Sequence, residues 1–94
     1  MQDKSNRVIV TVIGEDKVGI IAAVTAVLAG ANVNVVDISQ TTLREFFAMI
    51  MMADMDKASV PFDELKRRLN AQGAAMGLKI DAQHEDVFKF MHRV

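Results

Sequence analysis

With 94 residues, 51% hydrophobic and 24% charged, the chain can bury one core and is too apolar to stay unfolded. Its net charge of −1, with lysines and arginines scattered along it, excludes the basic footprint that DNA or an anionic membrane requires. The absence of cysteine rules out disulfides and thiolate metal sites and, with no secretory leader pattern, leads us to expect a cytoplasmic location.

Val8 to Ile13 is an unbroken run of strand-preferring residues, which predicts a first strand over Arg7 to Ile13. The loop Gly14-Glu15-Asp16-Lys17-Val18-Gly19 follows, and then a helix over Gly19 to Ala31. The apolar stretch from Val18 to Ala31 is too short to span a bilayer, so it reads as a core helix. A glycine turn ahead of a helix leaves backbone amides where an anionic group binds. Asp16 has two compatible roles there. It caps the helix by accepting from amides near Gly19, with Gly14 and Gly19 serving the turn, or it accepts from a ligand ammonium group.

A second strand, Val33 to Thr42, carries Asn34. Asparagine is disfavoured in strands, so a buried Asn34 beside the helix needs partners, either backbone groups or a ligand. Leu43-Arg44 is the expected hairpin, although it lacks an Asn-Gly or Asp-Gly pair. Phe46 to Ala53 is apolar throughout, with methionines and alanines that lean helical. The hairpin and the repeated strand–helix–strand order make it a third strand instead, over Glu45 to Met55.

The second helix spans Pro61 to Met76, with Ser59 as its expected N-cap and Asp63 and Glu64 in its first turn. Phe62, Leu65, Leu69 and Met76 line its inner face. Glu64–Arg68 and Asp63–Arg67 are expected surface pairs, each worth roughly 0.3–0.5 kcal/mol. Gly77 ends the helix. In the last strand, Leu78 to His84, Leu78, Ile80 and Ala82 alternate with Lys79, Asp81 and Gln83. The tail from Glu85 to Val94, with Val87, Phe88, Phe90, Met91 and Val94, reads as a short helix.

Two strand–helix–strand units joined by a hairpin predict an α+β class, ferredoxin-like βαββαβ sandwich. Residues 1–94 form a single domain, with a core of about 7–84 and a helical tail of 85–94. The expected sheet order is 4-1-3-2, with both helices on one face. The first and third strands are apolar at both parities, and the first helix is apolar nearly all round. A sheet with one open face should alternate with polar residues, so either the tail or a second subunit covers it. A homodimer is the expectation.

No nucleophile–base set stands out, and non-catalytic behaviour without a cofactor is expected. His84 and His92, eight residues apart, are read as structural rather than as metal ligands, with Glu85 and Asp86 opening the tail helix. The seven methionines read as adaptable core or interface filler. Phe46 and Phe47 lack the basic surface and motif of an RNA-binding sheet, so no direct nucleic-acid contact is expected.

Val8-Ile9-Val10-Thr11-Val12-Ile13-Gly14-Glu15-Asp16-Lys17-Val18-Gly19-Ile20 resembles the first strand and loop of the ACT domain, a regulatory module that binds amino acids. Ala31-Asn32-Val33-Asn34-Val35-Val36-Asp37-Ile38-Ser39-Gln40-Thr41 resembles that family's second strand. The tail from His84 to Val94 looks like that of short, stand-alone ACT proteins of bacteria and archaea. Those proteins are similar to the ACT domains of the glycine-cleavage-system repressor. The resemblance covers essentially the whole chain. It implies a small amino acid held between the loop of one subunit and the second strand of its neighbour. By position, the implied ligand residues are Gly14, Asp16, Lys17, Val18, Gly19, Ile20 and Asn34. Lys17 stands where many members carry arginine, which weakens a bidentate carboxylate contact.

With no catalytic domain attached, the signal is expected to pass to a separate protein. The alternative is a ligand-free protein–protein interaction module of the same fold. An acylphosphatase-like hydrolase would want an arginine in the first loop, and this loop has none. Copper carriage would need a Cys-x-x-Cys loop.

Overall fold

A computed structural model describes residues 6–87. The elements are β1 (Arg7–Glu15), α1 (Ile20–Gly30), β2 (Asn34–Leu43), β3 (Phe46–Asp54), α2 (Phe62–Met76) and β4 (Lys79–His84). The antiparallel sheet runs in the order β2-β3-β1-β4, the predicted order read from its other edge. The long apolar run is indeed a strand. β3 alternates in burial rather than in polarity: Phe47, Met49, Met51 and Ala53 face the helices, while Phe46, Ala48 and Ile50 are exposed on the open face.

That inner face explains the sheet's composition. Val8, Val10 and Val12 of β1 are fully buried, as is Met51 of β3, with Met49 at 1% exposure. Val24 and Leu28 of α1 and Leu65 and Leu69 of α2 pack onto them. Each such side chain contributes roughly 1.5–3 kcal/mol. The two methionines fill irregular space between β-branched neighbours. Phe46 and Phe47 point to opposite faces, Phe47 into the core and Phe46 outward.

Both helices end alike. Gly77 (φ 70°) follows α2, with the Leu78 amide donating to the Gly73 carbonyl at 2.8 Å and the Gly77 amide to that of Ala74 at 3.4 Å. Asn32 (φ 58°) follows α1, with the Val33 amide on the Leu28 carbonyl at 2.9 Å and the Asn32 amide on that of Ala29 at 3.0 Å. Asparagine here does the work of the terminal glycine, because its short polar side chain tolerates the left-handed region.

Four local expectations are corrected. Pro61, not Ser59, occupies the N-cap of α2, and the Ser59 amide instead donates to the Ala31 carbonyl at 2.8 Å. Arg67 reaches Glu64 at 2.6 Å rather than Asp63, so Glu64 gathers both arginines; the expected Glu64–Arg68 pair forms at 2.8 Å. The hairpin turns on Arg44-Glu45, one residue later than expected, with Arg44 in the left-handed region at φ 56°. Gly14 lies within β1, where a Cβ would come 2.5 Å from Leu78 Cδ2. Its role is close packing, not a turn.

β4 ends at His84, whose ring stacks on Phe62 with centroids 4.5 Å apart. Glu85, Asp86 and Val87 are helical and open the expected C-terminal helix. Glu85 is buried and lies 3.9 Å from Arg7. Residues 88–94, and with them His92 and the tail aromatics, lie outside the described residues.

Candidate functional site

The loop from β1 to α1 is held at its base by the sheet. The Asp16 amide donates to the Glu45 carbonyl at 2.7 Å, which carries the β1–β3 ladder one step past the strands. Gly19 is the N-cap of α1 at φ 88° and ψ 6°, and no side chain caps the helix. The expected cap by Asp16 is therefore absent. The left-handed Gly19 turns the chain so that Asp16, Lys17 and Val18 stand outside it, all exposed, with Val18 fully so. Without a cap, the positive end of the helix faces outward, where an anion binds favourably. Ile20 points the other way and is buried at 2% exposure, so its side chain serves the core and only its amide faces the loop.

Lys17 leans toward α2. Its Nζ lies 3.9 Å from where a Cβ on Gly77 would stand, beside the carbonyl end of that helix. A cation there is favoured by the helix dipole. This gives Lys17 a local role whether or not a ligand is bound.

Asn34 lies elsewhere. It is exposed, not buried, and it pairs with Asp54, which in turn pairs with Arg7 at the start of β1. The loop follows Glu15 at the other end of the same strand. From Arg7 to Glu15, a strand rise of about 3.3 Å per residue gives roughly 26 Å between the two ends. Asn34 thus stands beside the C-terminus of α1, and the loop at its N-terminus. Within one subunit the expected site residues are divided between opposite ends of the sheet.

Around Asn34 are residues that the sequence reading passed over. Asn32 donates through Nδ2 to the Lys57 carbonyl at 2.7 Å, and the Asp56 amide donates to Asp54 Oδ1 at 2.8 Å. The available signal was Asn32 itself, a helix-terminating asparagine directly after the apolar periodicity ends.

Residues 6–83 match the ACT domain family. The chain belongs to that family. It is 48% identical over 90 residues to a UPF0237 protein of Methanosarcina acetivorans, covering 96% of this chain and 98% of that one. Among solved structures it is similar to an ACT domain protein from Streptococcus pneumoniae. The TM-score is 0.78 at 35% identity, covering 92% of this chain and 97% of that one. A glycine cleavage system transcriptional repressor superimposes with TM-score 0.72 at 18% identity, covering 82% of this chain and 44% of that one. That likeness is one of fold. No helix among the described residues of this ACT domain is long and apolar enough to cross a membrane.

Proposed function

We propose that this ACT domain is a non-catalytic regulatory module that forms a homodimer through β2. It binds a small amino acid between the Asp16 loop of one protomer and the partner's Asn34, and signals to a separate protein. The observation that carries this reading is the edge geometry of β2. The strand has ten residues, lies at the sheet edge, contains no proline and bears Asp37 as its only charge. The opposite edge, β4, has six residues and carries Lys79 and Asp81, while Lys66 Nζ donates to its Ala82 carbonyl at 3.1 Å. The ladder shifts register between Val35 and Asp37, and the Ile38 amide donates to Asp37 Oδ1 at 2.9 Å, so the guarded part of the edge is short. The length from Ser39 to Leu43 is a template for another strand. Two copies related by a two-fold axis pair such edges antiparallel. That pairing carries the partner's Asn34 toward the Leu43 end of β2, the end at which the Asp16 loop stands.

The pairing also covers apolar surface. Val18 in the loop, Ile21 in α1, and Val36 and Ile38 in β2 are exposed by 101%, 39%, 46% and 42%. In the resulting site the uncapped amides at the start of α1 receive the ligand carboxylate, and the Asp16 carboxylate receives its ammonium. The amide of the partner's Asn34 bridges the two. Each charge-assisted bond is worth roughly 1.5–3 kcal/mol.

Equilibrium dialysis against a pool of amino acids tests the reading, followed by titration of wild type, Asn34→Ala and Asp16→Asn. Because Asp16 does not cap α1, its replacement leaves thermal stability intact. Each variant is expected to weaken binding about tenfold or more. A second reading has one observation in its favour. Ile13, Leu43, Phe46 and Ile50 are exposed on the open face of the sheet, an apolar patch of the kind that marks protein docking. A wild-type protein that binds no amino acid is a ligand-free interaction module, and that patch is then its working surface.

A further inference from the structure

Asn34 stands between two adjoining surface clefts. One, of about 280 Å³, is lined by Asn32, Asn34, Asp54, Asp56 and Lys57. The other, of about 310 Å³, shares Asn32, Asn34 and Lys57 and adds Ala29 and Val33. Pockets for drug-sized ligands run from about 300 to 1,000 Å³, so a cleft of this size suits a few heavy atoms. The first cleft has no apolar side chain in its lining.

Folding fixes this wall through its backbone. The Asn32 side chain holds the Lys57 carbonyl, the Ser59 amide is tied to the Ala31 carbonyl, and the Asp56 amide rests on Asp54 Oδ1. The charged ends of Lys57 and Asp56 take no part in these bonds. Although adjacent and opposite in charge, the two residues form no ion pair with each other. The cleft beside Asn34 is therefore lined by residues of both charge signs, Lys57 on one hand and Asp54 and Asp56 on the other.

We infer that this cleft takes the side chain of the bound amino acid and selects a hydroxyl or carboxamide over an aliphatic group. Lys57 donates to that side chain and Asp56 accepts from it. The inference rests on the reading that a small amino acid binds beside the partner's Asn34. An aliphatic side chain placed here strips water from an ammonium and a carboxylate and returns no hydrogen bond to either. A charged side chain of either sign meets a like charge here, Lys57 or Asp54 and Asp56, beside its opposite. A neutral group with both a donor and an acceptor satisfies both signs. A site that hydrogen-bonds a polar group rejects the analogue lacking it far more strongly than an apolar pocket sorts by size.

The test is calorimetric titration of the full chain with serine, asparagine and glutamine against alanine, valine and leucine. At least one polar amino acid is expected to bind about tenfold tighter than every aliphatic one. Lys57→Met keeps the alkyl stem, and Asp56→Ala removes only an exposed carboxylate. Both should fold and dimerise as wild type while losing most of that preference. Valine or leucine binding as tightly as any polar amino acid overturns the inference and leaves the amino-acid reading standing. A preference that survives in Lys57→Met and Asp56→Ala overturns it as well. Failure of all six to bind removes both the inference and the reading beneath it.

Discussion

Asn32 donates its side-chain amide to the carbonyl of Lys57, 2.7 Å away and 25 residues later in the chain. The same residue is the left-handed terminator of α1. One asparagine therefore ends a helix, turns the chain into β2 two residues before Asn34, and anchors the loop that leads to α2.

These duties separate by substitution. Asn32→Gly keeps the backbone conformation and loses the tether, whereas Asn32→Ala loses both. We expect a cost of about 1 kcal/mol for the glycine variant and about 2 kcal/mol for the alanine variant. Urea denaturation of the three proteins checks the order. Equal stability of the two variants would contradict the backbone role.

The glycines offer a second series. Gly19→Ala meets no atom within 4 Å but must hold φ 88°, so its cost of about 1–2 kcal/mol is conformational alone. Gly73→Ala places a Cβ 2.7 Å from the Leu78 carbonyl oxygen, which is backbone and cannot swing away. Its cost should be the larger. Gly30 lies in α1 with open space above it and no left-handed φ. Gly30→Ala is expected to stabilise by up to about 0.5–1 kcal/mol. Melting temperatures in the order Gly30→Ala, wild type, Gly19→Ala, Gly73→Ala, from highest to lowest, support the account.

Hydrogen bonds from Arg67 and then Arg68 push the Glu64 carboxyl down from its ordinary value of 4.5 to about 2. Folding lowers this pKa, so the group's contribution is present above pH 4.5 and is lost as pH falls toward about 2. The cluster is exposed, so the effect is modest and shrinks with salt. Thermal unfolding of wild type at low ionic strength should fall more steeply through that window than unfolding of Glu64→Gln. Parallel curves would show that the cluster contributes nothing to stability.

The fold was legible because hydrophobic pattern and element order agree. Val8 to Ile13 has one reading, and Leu78 to Gln83 alternates as a half-buried strand must. Phe46 to Ala53 was decided by its place after a hairpin, which tertiary structure then justified. What failed were the short-range assignments. Ser59 and Asp16 are both good cap residues on propensity, but Pro61 and Gly19 hold the cap positions through backbone geometry that composition does not report. The turn falls on Arg44-Glu45 rather than Leu43-Arg44 because the hairpin register is set by the β2–β3 ladder, not by a turn-forming pair. The loop was visible as a motif, and so was Asn34. The resemblance already sets them in different subunits, and the distance between them within one subunit follows from β1 running the full length of the sheet. Lys57 and Asp56 join Asn34 only in three dimensions.

The central claim is that the site is shared between two copies, and a mixing experiment tests it most directly. Asp16→Ala and Asn34→Ala are each prepared as homodimers, in which every site has lost one of its two halves. After the two are unfolded together and refolded, mixed dimers carry one site with an intact loop facing an intact asparagine, because a two-fold axis pairs each loop with the other chain's β2. Amino-acid binding measured by equilibrium dialysis should reappear in the mixture at wild-type affinity and reduced stoichiometry. A mixture that binds no more than either variant alone, under conditions in which the wild type binds, would contradict a site built across the dimer.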